Sequence, residues 1–192
     1  LLAAACKTEA PREVTLQEDV LILASDSLMG RETGTEGALM AAEYLEGRFK
    51  GLGLVPAGAD QTYRQSFTFQ PRKDPHAEVA FGTTGDSSIA GVNIVGLLDN
   101  GGSRTVVIGA HYDHLGTGWP DVHQGDEGKV HPGADDNASG VAVLLELAKN
   151  LAASARAAGE PPARTLVFVA FTAEEAGRQG SKHYVAVATD RN

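Results

Sequence analysis

Apolar positions along this chain fall into helical spacing, strict alternation and dense runs, and each predicts a different element. Thr15-Leu16-Gln17-Glu18 has the form of a capping box, in which the Thr hydroxyl and the Glu carboxylate each satisfy a free backbone donor at a helix start. It predicts a helix over residues 16–28. Residues 30–37 are too glycine-rich for a regular element, and after them Ala38, Ala42, Leu45, Phe49 and Leu52 recur at helical spacing, predicting a second amphipathic helix ended by Gly51 and Gly53. Tyr63, Gln65, Phe67 and Phe69 alternate with Arg64, Ser66 and Thr68, as in a half-buried strand, with residues 79–81 its candidate partner. Residues 92–98, 105–110 and 165–171 are β-branched apolar runs bounded by turn residues, which predicts strands buried on both faces. Between the last two, Val141, Leu144, Leu145, Ala148 and Leu151 form a helical stripe over residues 139–151, and Pro161-Pro162 separates that helix from the next strand.

Strand, helix and strand joined by a long crossover imply a parallel pair covered by a helix. The fold class is therefore α/β, a mixed and partly parallel sheet flanked by helices. The 192 residues are 42% hydrophobic and 21% charged, enough for one domain with a sizeable core, and neither a repeat nor a linker divides the chain. Residues 15–192 are read as that domain and residues 1–14 as a tether. A formal charge of -9 with no basic cluster argues against nucleic acid as a partner. The apolar stretches fall far short of the roughly 18 residues needed to span a bilayer. A single cysteine, Cys6, leaves no internal disulfide, so stability comes from packing or metal.

In open α/β sheets ligands collect at the carboxyl ends of strands. There the run 105–110 delivers His111-Tyr112-Asp113-His114, and the run 165–171 delivers Thr172-Ala173-Glu174-Glu175. Between them, residues 133–140 read Gly-Ala-Asp-Asp-Asn-Ala-Ser-Gly and precede the helix. Each phrase alone has a bland explanation: a surface His–Asp hydrogen bond, an acidic contribution to a helix dipole, an Asp or Asn cap. Jointly, three such clusters at the ends of neighbouring elements would be electrostatically costly without a cation between them. Imidazole and carboxylate without thiolate suit zinc or a similar divalent ion.

These phrases, with Gly30-Arg31-Glu32-Thr33-Gly34-Thr35-Glu36-Gly37, Asn93-Ile94-Val95-Gly96 and Ala173-Glu174-Glu175-Ala176-Gly177-Arg178-Gln179-Gly180-Ser181, resemble the co-catalytic di-zinc aminopeptidases, metallopeptidase family twenty-eight of clan MH, in their bacterial exported branch. The resemblance runs from Leu16 to the end of the chain. It implies a zinc-exopeptidase fold of the phosphorylase/hydrolase-like kind, incomplete at the C-terminus, and peptide substrates. It implies two zinc ions, with other divalent ions tolerated. His111 becomes a ligand of one ion, Glu175 of the other, and Asp136, directly before Asn137-Ala138-Ser139-Gly140, the carboxylate bridging both. Glu174 becomes the general base for a metal-bridging water, and Asp113 orients His111. The family also shows a cis peptide after the bridging Asp. His114 is read as pocket lining, and Trp119, His123 and His131 as rim or substrate contacts. His76 and His183 are read as surface or structural residues. Arg31 either pairs with an acid near the site or is a solvated loop residue.

The opening Leu1-Leu2-Ala3-Ala4-Ala5-Cys6 resembles the end of a signal peptide running into a bacterial lipobox, which implies an exported protein, periplasmic or membrane-anchored through lipidated Cys6. Otherwise these residues form an ordinary frayed terminus. Family members carry a further Asp and His beyond the Glu-Glu element, which implies that this chain is an N-terminal portion of the catalytic domain and inactive in isolation. The span from Phe69 to Asn93 is too short for the insert domain of some relatives. Other readings are a carboxypeptidase, dipeptidase or one-zinc glutaminyl cyclase on the same scaffold, or a non-catalytic peptidase-like binding domain.

Overall fold

Two helices precede the sheet in the computed structural model, which describes residues 13–70, 88–99, 101–118, 125–126, 128–158 and 164–189. Helix α1 spans Leu16–Leu23 and opens with the expected capping box, Thr15 and Glu18 each serving the other's backbone. It stops earlier than residue 28. After Ala24, the Ser25 and Ser27 hydroxyls bond each other at 2.7 Å, and the chain tightens into a 3-10 turn, Asp26–Arg31. Helix α2, Glu36–Gly51, is capped by Thr35 and buries Ala38, Ala41, Ala42, Leu45 and Phe49.

Strands β1 (Val55–Pro56) and β2 (Arg64–Phe69) lie end to end along one edge of β3 (Ile89–Leu98), both antiparallel to it. The described partner of β2 is thus β3; residues 79–81 lie outside the described residues. Strand β3 pairs antiparallel with β5 (Thr165–Phe171), and β5 pairs parallel with β4 (Thr105–His111), in the order β1-β3-β5-β4. The sheet is mixed, with its parallel pair joined through α3 (Gly140–Ala158).

Alternation along β3 and β5 sorts their side chains onto two faces. Ile94, Leu166, Phe168 and Ala170 join Leu45, Phe49, Val141, Leu144 and Leu145 in the main core beneath α2 and α3. The opposite face carries Val95, Leu97 and Val167, which line a groove with Tyr184, Val187 and Ala188 of α4 (Gln179–Thr189). The sequence reading named no helix there. Strand β4 corrects the expectation of burial on both faces. Val106, Ile108 and Ala110 pack on the core, while Val107, on the other side of this edge strand, is 49% exposed. Helix α3 also outruns its predicted end at residue 151, since Ala152 continues the buried stripe. Of the tether, Glu13 forms an ion pair with Lys149 at 3.2 Å, and residues 1–12, with Cys6, lie outside the described residues.

Candidate metal centre and catalytic site

Parallel pairing of β4 with β5 sets His111 opposite Phe171, so the segments 111–114 and 172–175 leave neighbouring strands at the same level. Asp113 ties them together. It is wholly buried, and its two carboxylate oxygens accept from the backbone N–H groups of Glu174 at 3.1 Å and Glu175 at 3.3 Å. Its Oδ1 also lies 3.7 Å from His111 Nδ1. The Asp113 carboxylate thus fixes both glutamates, while the backbone carbonyl of the same residue, 3.3 Å from His111 Nδ1, holds the histidine.

The other ring nitrogen, His111 Nε2, lies 3.2 Å from Asp136 Oδ1. Asp136 reaches that position through irregular backbone. Residues Ala134–Ser139 form a π-type turn in which Asp136 and Asn137 are non-helical, and the Asp136–Asn137 peptide is cis. Asp135 does not share the contact with His111; its carbonyl accepts from the Ser139 hydroxyl at 2.8 Å. His114, expected as pocket lining, places Nδ1 at 2.9 Å from Glu175 Oε1, and one ligand atom each from His114, Asp136 and Glu175 falls within 4.8 Å of the others. Asp136 therefore stands at the junction of two imidazole–carboxylate pairs, His111 on one side and His114 with Glu175 on the other. That donor set fits a divalent cation: acids and imidazoles converge, and no cation of the chain pairs with them among the described residues.

The electrostatics follow from this crowding. Burial opposes charge on His111, but the hydrogen bond and negative charge of Asp113, with Glu174 and Asp136 behind, outweigh it and lift the imidazole to about 9. Burial raises the Glu174 carboxyl; His111 opposes the shift, and Glu175, Asp113 and Asp136 add to it. A raised carboxyl is a better proton acceptor once ionised.

Arg31, Thr33 and Asn93 hold the frame. Arg31 has no exposed surface, and it meets no acid within ion-pair distance among the described residues. Instead its guanidinium donates to the carbonyls of Tyr112 at 2.7 Å, Pro132 at 2.7 Å, Gly133 at 3.0 Å and Leu23, which ties α1 to the two loops carrying His111 and Asp136. Burial pushes its pKa down to about 10, with Asp113 and then Asp136 opposing the shift. The neighbouring Gly30 sits so near the Gly116 and His131 carbonyls that no side chain fits, and its N–H-accepting carbonyl holds Gly116 at 3.1 Å. Thr33 does for the third loop what Arg31 does for the first two. Its Oγ1 lies 2.8 Å from Thr172 Oγ1 and accepts at 3.0 Å from the N–H of Ala173, which holds a left-handed φ of 57° just before Glu174. Asn93 braces this loop from within β3, accepting from Thr172 N–H at 3.2 Å and donating to Gln65 and Gly180, each at 2.9 Å.

Arg31→Lys is expected to lower unfolding free energy by about 3 kcal/mol, because an ammonium cannot replace a fork reaching four carbonyls, two of them buried, and leaves some of them unpaired. Urea denaturation checks this, and an unchanged midpoint would refute it.

Other candidates fall apart spatially. His183 stacks on Phe67 with ring centroids 5.0 Å apart, in keeping with a structural residue. His131 donates its backbone N–H to Gly116 at 2.9 Å, and its buried Nε2 has no hydrogen-bond partner. Trp119, His123 and His76 lie outside the described residues. Sequence reasoning missed the carbonyl-binding role of Arg31, the hydroxyl bond of Thr33 and the bracing by Asn93. Only Asn93 left a signal, as a polar residue inside an apolar run.

The fold is thus an α/β scaffold with acidic and imidazole loops gathered at the ends of a parallel strand pair. The sequence model described as Peptidase family M28 matches residues 93–192, and the chain belongs to that family. It is 34% identical over 91 residues to a probable leucine aminopeptidase of Arthroderma otae, an alignment covering 47% of this chain and 23% of that protein. It is 27% identical over 165 residues to the alkaline phosphatase isozyme conversion protein of Escherichia coli, covering 84% of this chain and 42% of that one. Among solved structures, Porphyromonas gingivalis glutaminyl cyclase superposes with a TM-score of 0.62 at 19% identity, covering 88% of this chain and 50% of that chain, a likeness of fold alone. The chain thus spans less than half the length of these curated relatives.

Proposed function

We propose that the protein is a metal-dependent aminopeptidase that removes N-terminal residues from peptides. The observation carrying this reading is the joint geometry of Asp136 between His111 and the His114–Glu175 pair, with Glu174 beside His111 on the wall of the same cleft. His111, Asp136 and Glu175 would hold the metal, two zinc ions in this reading, with His114 steering the Glu175 carboxylate. When bound, such ions acidify water and polarise a carbonyl. Glu174 then accepts a proton from the attacking water and returns it to the leaving amine, its carboxyl already raised by burial. Asp113 keeps His111 Nδ1 facing inward, so that Nε2 is the nitrogen presented to the site.

A one-zinc glutaminyl cyclase shares this fold, and the two imidazole–carboxylate pairs around Asp136 favour the peptidase because they supply donors for a second ion. The reading extends to an exported protein anchored through Cys6, supported by the apolar and small residues that precede it; no described helix is long and apolar enough to cross a membrane. The full-length protein is expected to hydrolyse leucine p-nitroanilide, to lose that activity to a chelator and to regain it with zinc. Cyclisation of N-terminal glutamine without peptide hydrolysis would refute the proposal.

A further inference from the structure

Beside Glu174 an open cleft of about 320 Å³ lies between the ends of β4 and β5 and the start of α4, its wall formed by His111, Asn137, Glu174, Arg178 and Ser181. The ionisable groups gathered at this end of the sheet are carboxylates and imidazoles, and Arg178 brings the one guanidinium to the cleft wall. The other nearby guanidinium, Arg31, is sealed inside and committed to carbonyls. Arg178 is exposed, and among the described residues its side chain forms no ion pair or hydrogen bond. Its backbone is the opposite of free. The N–H groups of Gly177 and Arg178 both donate to the Glu174 carbonyl at 2.8 Å, and the two residues are left-handed in succession, with φ of 83° and 62°. Glycine suits such a position and arginine does not, so a long cation held there, on the wall of the cleft, asks for a reason in the cleft.

The chemistry of the proposed base says which part of a substrate passes Arg178. Glu174 must reach the nitrogen of the departing amine, so the wall that continues from Glu174 to Arg178 runs along the leaving portion of the peptide. We propose that Arg178 binds a carboxylate on that portion, and so directs the enzyme to peptides whose second residue is acidic or, in dipeptides, bears the free C-terminal carboxylate. This rests on the aminopeptidase reading above. A guanidinium offers a carboxylate two parallel N–H donors, and the surrounding acids repel any carboxylate not seated on that fork.

The test compares Leu-Asp-amide with Leu-Asn-amide, and Leu-Ala with Leu-Ala-amide, on the zinc-loaded full-length protein. At least one carboxylate member should be favoured in kcat/KM by about fivefold or more, chiefly through KM, as a partly exposed charged pair allows. The favoured pair identifies the source, an acidic side chain in the first case and the chain terminus in the second. Arg178→Leu should bring both ratios to unity, and Arg178→Lys should restore part of the preference; the ratio is the readout, not the absolute rate. The same four peptides are titrated calorimetrically into the Glu174→Gln protein with and without Arg178→Leu. Equal ratios with and without Arg178 in both experiments overturn the proposal. Failure of the wild type to cleave leucine p-nitroanilide overturns the aminopeptidase reading instead, and the calorimetric ratio still decides the role of Arg178.

Discussion

Glu174→Gln in the full-length protein is expected to lower peptide hydrolysis by about 10³-fold while leaving bound metal unchanged. The amide keeps the size and backbone of the glutamate, so the N–H bond to Asp113 at 3.1 Å survives and the strand-end turn keeps its shape. What disappears is a carboxylate able to accept a proton, in a place where burial makes it a stronger acceptor than usual. The neighbouring substitution, Glu175→Gln, should act differently, because Glu175 Oε1 belongs to the donor group with His114 and Asp136. It should deplete metal and activity together. Elemental analysis of both proteins beside a leucine p-nitroanilide assay separates the two roles, and equal metal loss in the two would show that the division between base and ligand is wrong.

The second large effect falls on Asp136. Asp136→Ala is expected to leave the dialysed protein essentially metal-free, since this carboxylate meets His111 Nε2 on one side and stands within 4.8 Å of the His114 and Glu175 donors on the other. Asp135→Ala should retain most of the metal, because the structure uses the backbone carbonyl of Asp135 to fix Ser139. A protein more damaged at Asp135 than at Asp136 would move the ligand assignment by one residue.

The mixed α/β architecture was legible in the sequence because its signals are local. The capping box at Thr15, the stripe from Val141 to Leu151 and the apolar runs at 105–110 and 165–171 each announce themselves within a dozen residues. The end of α1 is not legible because hydrophobic spacing continues through Leu28 while the backbone leaves the α-helix at Ala24 and tightens into the 3-10 turn that holds the Ser25–Ser27 hydroxyl bond. The burial of β4 was misread for another reason: an alternating side of an edge strand is covered or bare according to which helices reach it, and no local pattern records that. The residues gathered at the site came from their positions after strands. Their mutual arrangement did not, and the pairing of His114 with Glu175 joins residues 61 apart in the chain. Arg31 was equally opaque, because a guanidinium bound to four backbone carbonyls has no partner side chain to betray it.

That carbonyl binding separates the parts of the chain that hold reactive groups from the part that holds them still. His111, Asp113, Asp136, Glu174 and Glu175 all fall within residues 93–192, the span matched by the family's sequence model. Arg31 and Thr33 fall outside it, yet the loops ending both parallel strands and the loop before α3 are fastened to them. A polypeptide beginning at Asn93 would therefore keep its full complement of reactive side chains and lose their common reference point. The segment carrying Arg31 and Thr33 serves as a jig, outside the proposed chemistry but setting the spacing at which it can occur.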